Sequence, residues 1–194
     1  MTVRALIPIK GPAACKTRLR GTLGEDEREA LVADMLRHVV AITGATPGID
    51  EVCLIGPSRH GSPSSIGLLD DPGAGLNAAL TAAARASLAA GVGRLVMLSA
   101  DLPLLRVDDV AALAAPDGNV AIAPDRHGTG TNALALAAVN AARFAFSFGA
   151  GSFDLHCAEA KRLGLSVRVV CSPTLALDVD LPEDLDALAV AKRT

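Results

Sequence analysis

Short runs of apolar residues alternate with longer stretches in which apolar positions recur every three or four residues, from one end of the chain to the other. The runs predict strands and the spaced stretches predict helices. Residues 3–9 form the first run. Residues 25–43 then place Leu31, Val32, Met35, Leu36, Val39 and Val40 on one helical face, with Gly44 as a suitable stop. Further strands are predicted at 51–55, 66–69, 94–98, 120–123 and 166–170, with another apolar segment at 133–137. Helices are predicted at 76–90, near 107–115, from Ser152 to before Gly164, and at 182–191, where Pro182 takes the first helical position. Residues 56–65, rich in Gly, Pro and Ser, read as a loop, as do 124–132.

Strands and helices in alternation are the signature of an α/β domain, a mainly parallel sheet covered by helices. Ligands of such sheets sit beyond the carboxyl ends of the strands. The polar clusters fall at those places: residues 10–20 after the first strand, 70–77 after the third, and Asp101 after the fourth.

Composition narrows the function classes. A chain of 194 residues suits a single domain, and no internal repeat or linker divides it. With 2% aromatic residues and no Trp or Tyr, the core must be built from Ala, Leu, Val and Ile, and nucleobases have few rings to stack on. A formal net charge of −3 argues against a nucleic-acid backbone binder, so any phosphate ligand must be held locally. Cys15, Cys53, Cys157 and Cys171 show neither zinc-ligand nor disulfide-framework spacing, which fits scattered thiols in a reducing compartment. No apolar run is long enough to span a membrane and the start lacks a secretory h-region, so a cytoplasmic location is expected.

Five segments carry candidate chemistry. Lys10, Lys16 and Arg18 follow the first strand within nine residues and could hold a triphosphate through charge-assisted hydrogen bonds. The segment is not a Walker loop: Gly11 comes one position late, and Cys15 stands where the second glycine belongs. The second segment holds Gly73, Gly75 and Ala78, a formal G-x-G-x-x-A match. Its context in mid-chain, without a following ribose-binding acid, suits a tight turn opening a helix better than a dinucleotide fingerprint. Asp101 ends an apolar strand, a rigid placement for a metal ligand, whereas helix capping suits Asp108 better. In the fourth, Asp178 and Asp180 share one face if their segment is extended, with capping of the helix at Pro182 as the alternative role for Asp180. The fifth comprises two Gly/Thr/Ser-rich loops, 124–132 and 148–153, that look like anion sites, with Ser152 as the expected N-cap of its helix; His127 alone carries little weight.

Together and in this order, the motifs IPIK…KTRL, GLNAAL, ADLPLL, APDRHGTGTNAL, FGAGSF and LDVDLPEDL resemble the guanylyltransferases of deazaflavin coenzyme F-420 biosynthesis, over nearly the whole chain. That family activates 2-phospho-L-lactate, phosphoenolpyruvate or 3-phospho-D-glycerate with GTP, and is similar in fold to the molybdopterin-type nucleotidyltransferases. The resemblance implies a Rossmann-like nucleotide-diphospho-sugar-transferase fold with a mixed, mostly parallel sheet. It further implies that Lys10, Lys16 and Arg18 hold the GTP phosphates, that Gly75, Leu76 and Asn77 lie near the nucleoside, and that Asp101 binds magnesium with Asp178 or Asp180. Thr131, Gly149 and Ser152 would contact the phosphoacid. The family motif often reads F-G-P-G-S-F; Ala150 replaces that proline here, which should loosen the loop without removing a contact. The competing classes are a molybdopterin-type transferase, whose Gly-rich N-terminal loop is absent, a noncatalytic nucleotide-binding protein on the same fold, and a nicotinamide dehydrogenase.

Overall fold

The computed structural model describes residues 1–9, 16–116, 119–191 and 193. Seven strands form one sheet: β1 (Val3–Pro8), β2 (Glu51–Ile55), β3 (Gly67–Leu69), β4 (Arg94–Leu98), β5 (Val120–Pro124), β6 (Thr131–Ala137) and β7 (Val167–Val169). Their spatial order is β3-β2-β1-β4-β6-β5-β7. All neighbours pair in parallel except β6, which runs antiparallel to both β4 and β5. The one reversed strand decides where the site can form. It brings the start of β6, at Thr131, to the same edge of the sheet as the ends of β1, β3 and β4.

The period-2 alternation expected of strands buried on both faces divides the core into two layers. Ala5, Ile7, Val96 and Leu98 face the layer under α1 (Glu25–Ala45) and α3 (Val107–Ala114). Leu6, Leu95, Met97, Ile122, Leu134 and Leu136 face the opposite layer, covered by α2 (Leu76–Ala89), α4 (Ala138–Ala141) and α5 (Ser152–Arg162). Two further helices, α6 (Pro173–Ala176) and α7 (Pro182–Ala191), complete the chain. All four phenylalanines lie within residues 144–153 and pack into the second layer.

The expected elements are present, with differences at their ends. Helix α1 runs through Gly44 to Ala45, because Thr43 and Thr46 return their hydroxyls to the carbonyls of Val39 (2.6 Å) and Ile42 (2.8 Å) and keep the last turn closed. The loop assigned to 124–132 is shorter, since Thr131 and Asn132 already belong to β6. The short helices α4 and α6 have no counterpart in the periodicity, which a single turn is too brief to show. At α3 the expected capping residue Asp108 is not the one used: Asp109 reaches back to the amide of Arg106 at 2.9 Å and also accepts the Thr174 hydroxyl at 2.7 Å. No helix among the described residues is long and apolar enough to cross a membrane.

Candidate active site

A cleft of about 860 Å³ opens at the carboxyl edge of the sheet. Its volume lies within the roughly 300–1,000 Å³ of small-molecule sites. Ile9, Ile55, Leu76 and Ala79 form an apolar wall, α1 contributes Asp26 and Glu29, and Lys16, Asp101 and Asp180 bring charge.

Lys16 is placed by its neighbours in sequence. It adopts a left-handed backbone conformation (φ 52°) just before one 3-10 turn, Thr17–Leu19. Leu19, fully buried against Met35, Leu177, Val179 and Leu188, anchors that turn. Leu177 and Val179 belong to the segment that carries the acidic pair. Because their side chains enter this small core, Asp178 and Asp180 project from the other face of the extended chain, as expected.

The Lys16 ammonium then bridges two carboxylates, touching Asp101 Oδ2 and lying 2.7 Å from Asp180 Oδ1. Burial alone would lower its pKa, but Asp101 and Asp180 outweigh burial and raise it, so the side chain stays charged. Asp178 sits beside them. Burial, then the negative charge of Asp101, pushes its carboxyl up to about 6, against a hydrogen bond from Asn132 Nδ2 at 3.3 Å. A carboxylate held this way is one that a cation would relieve. Asp101 with Asp178 or Asp180 offers hard oxygen donors of the kind magnesium takes, one or two carboxylates with substrate phosphates and water completing the shell. No group of three acidic, His or Cys residues among the described residues is arranged to enclose a metal by itself. A ligand's oxygens would have to complete the shell.

Asp180 does not cap α7. That work falls to Asp184, whose Oδ2 accepts the amides of Asp180 (2.8 Å) and Leu181 (2.6 Å) while its Oδ1 pairs with Arg126 at 2.5 Å. The Asp180 side chain is therefore released to the cleft. Asp101 meets Lys16 and caps no helix among the described residues.

Gly75 and Leu76 line the cleft, and Gly75 opens α2 at φ 92°, a positive value that favours glycine. Asn77, the next residue, binds a neighbouring loop. Its Oδ1 accepts the Phe148 amide at 2.8 Å and its Nδ2 donates to the Phe148 carbonyl at 3.2 Å, a two-bond clamp from α2 onto the loop before Gly149. Arg18 is exposed and does not line the cleft, and Lys10 lies outside the described residues.

Thr131, Gly149 and Ser152, the expected acceptor group, do not line this cleft. Asn132, the residue after Thr131 on β6, reaches the acidic segment, its Nδ2 donating to Leu175 O (3.1 Å), Ala176 O (3.0 Å) and Asp178 Oδ1. Ser152 is buried and is not the N-cap of α5. Gly151, at φ 69°, takes that position, and the Ser152 amide donates to Gly149 O at 3.2 Å.

Two residues with consequences for this group gave no signal in the sequence. One is Asn132, hidden in a Thr/Gly run. The other is His156, fully buried in α5 with Nδ1 3.0 Å from Thr131 Oγ1 and Nε2 accepting the Ser147 amide at 3.0 Å. Burial lowers its pKa to about 4. The folded state therefore resists a proton that the unfolded chain takes near 6.5, so this contribution to stability is present above about 6.5 and lost as pH falls toward about 4. The expected result is a wild-type melting temperature that drops over this window more steeply than that of His156→Asn, measured by calorimetry at several pH values. Parallel curves would contradict it.

An apolar cleft with a lysine–carboxylate cluster beyond the ends of parallel strands is where an open α/β sheet takes a small polar ligand. Over its whole length the chain superposes on 89% of a protein from Desulfovibrio desulfuricans assigned to the nucleotide-diphospho-sugar transferases, with TM-score 0.80 at 16% identity. Residues 3–192 match the family described as "Guanylyl transferase CofC like", and the chain belongs to that family. It is 39% identical to the phosphoenolpyruvate guanylyltransferase of Sphaerobacter thermophilus (97% of this chain, 93% of that one). It is 33% identical to the 2-phospho-L-lactate guanylyltransferase of Methanosarcina acetivorans (97% and 86%).

Proposed function

We propose that the protein transfers GMP from GTP to a small phosphorylated carboxylic acid, with release of pyrophosphate, as a step toward deazaflavin coenzyme F-420. The acceptor is phosphoenolpyruvate, 2-phospho-L-lactate or 3-phospho-D-glycerate. The observation that carries this reading is the Lys16–Asp101–Asp180 cluster with Asp178 beside it, at the strand ends of a chain whose relatives are named for guanylyl transfer.

GTP occupies the cleft, its nucleoside along the Gly75–Leu76 turn and its phosphates toward Lys16, with Lys10 and Arg18 as further candidate phosphate contacts. Asp101, with Asp178 or Asp180, would hold magnesium, which when bound supplies charge neutralisation on the phosphates. The acceptor's ionised phosphate is already nucleophilic, so its oxygen attacks the α-phosphorus in line and no protein nucleophile is required. Lys16 balances charge on the departing pyrophosphate. Thr131, Gly149 and Ser152 hold the acceptor opposite the leaving group, and the Asn132 amide keeps this subsite in register with Asp178. Pyrophosphate release measured with each of the three acids, in the presence of GTP and then of ATP, CTP or UTP, tests the reading. Release with GTP and at least one acid supports it, and release with another nucleotide alone counts against it.

Because the Ser152 amide is engaged by Gly149, any acceptor contact must come from its hydroxyl. Ser152→Ala should raise the acceptor KM about tenfold, the order of one hydrogen bond to a charged group, with little change in the KM for GTP. The helix should remain as stable, since Gly151 is the cap. Steady-state kinetics alongside thermal melting separate the outcomes: a variant that melts earlier with normal kinetics leaves Ser152 without a binding role.

A further inference from the structure

We propose that His156 is a positioning residue of the acceptor subsite, its ring fixing the Thr131 hydroxyl as a hydrogen-bond donor toward an anionic oxygen of the acceptor. The inference rests on the acceptor assignment above and adds to it a residue outside the subsite, with a defined proton arrangement.

The argument begins with the Ser147 amide. A backbone N–H can only donate, so the His156 Nε2 that receives it at 3.0 Å carries no proton. The ring is neutral, as its depressed pKa requires, so its single proton sits on Nδ1. Nδ1, 3.0 Å from Thr131 Oγ1, is therefore the donor of that bond and the threonine oxygen the acceptor. The hydroxyl proton of Thr131 is left pointing elsewhere. It can only serve a group with a lone pair, and a carboxylate or phosphate oxygen of the acceptor is such a group.

The surroundings hold this arrangement rigidly. Phe148 meets the imidazole edge-on at a centroid distance of 4.7 Å and Phe144 lies at 5.9 Å, so the ring cannot turn over without displacing both. Asn77 grips the Phe148 amide one residue beyond the Ser147 amide held by His156, so α2 and α5 fix consecutive peptide groups leading into Gly149. A phenylalanine would fill the same volume in this phenylalanine-rich core without the cost of burying a polar ring. An imidazole receives the amide on one side and donates to the hydroxyl on the other, which a phenylalanine cannot do.

The test is a double-mutant cycle on acceptor KM, with GTP and phosphoenolpyruvate or whichever of the three acids turns over. Thr131→Val and His156→Leu should each raise acceptor KM about tenfold with GTP KM nearly unchanged, and the double variant should be no worse than Thr131→Val alone. His156→Asn, whose amide can still donate where Nδ1 did, should recover most of the acceptor affinity even if it melts earlier. Additive effects, or a raised KM in Thr131→Val with wild-type values in both His156 variants, would overturn the proposal while leaving the acceptor site intact. A wild-type KM in Thr131→Val would overturn the assignment of Thr131 and the proposal with it. Should His156→Leu fail to fold, His156→Phe, which fills the same space without either hydrogen bond, takes its place in the cycle: a wild-type acceptor KM in that variant, or additivity with Thr131→Val, overturns the proposal.

Discussion

Asp101→Asn is expected to lower kcat by about a thousandfold or more while the protein remains folded. The side chain keeps its size but loses the charge that meets Lys16 and raises the Asp178 carboxyl. Two consequences should appear together. The affinity for divalent cation in the presence of GTP falls, and the Asp178 carboxyl titrates closer to its ordinary range because its largest charged neighbour is gone. Activity at saturating substrates, titrated with magnesium, checks the first. Near-normal turnover at limiting magnesium would remove Asp101 from the reaction.

Lys16→Met should act in two opposite directions. Turnover and GTP affinity fall, kcat/KM by about a hundredfold, because a cation that lines the cleft is lost. Binding of magnesium or manganese to the nucleotide-free protein should become tighter, since Asp101, Asp178 and Asp180 are left without the ammonium that balances them. Acceptor affinity should change little. Calorimetric titrations with GTP and with the metal alone measure both arms. Unaltered GTP affinity with full activity would mean that Lys16 serves only to hold the loop after β1 against Asp101.

The α/β architecture and the edge of the sheet that bears the site were legible because alternation and strand-end polarity are local signals. Val3–Pro8, Glu51–Ile55 and Arg94–Leu98 stand out as apolar runs, and the segments after Val3–Pro8, Gly67–Leu69 and Arg94–Leu98 bring Lys16, Gly75 and Asp101 to one edge because those strands run parallel. The alternation of Leu177 and Val179 with Asp178 and Asp180 was enough to place both carboxylates on one face. What the chain pattern could not show is competition among polar groups for the same partner. Ser152, Asp108 and Asp180 all look like helix caps, yet Gly151, Asp109 and Asp184 take those roles because backbone geometry and tertiary neighbours decide between adjacent candidates. Asn77 looks like a nucleoside contact beside a glycine turn, and its amide is spent on Phe148, which is 71 residues away. His156 sits on α5 with no motif around it. Its meaning appears only when β6 is found to run against its neighbours and to carry Thr131 to the ligand edge.

Mass spectrometry of the nucleotide product after incubation with GTP, magnesium and each phosphorylated acid tests the central claim most directly. The account predicts a new species equal to GMP joined through a phosphoanhydride to the acid, formed in step with pyrophosphate and absent when the acid is omitted. GDP and inorganic phosphate in place of pyrophosphate, or no adduct with any of the three acids, would contradict it.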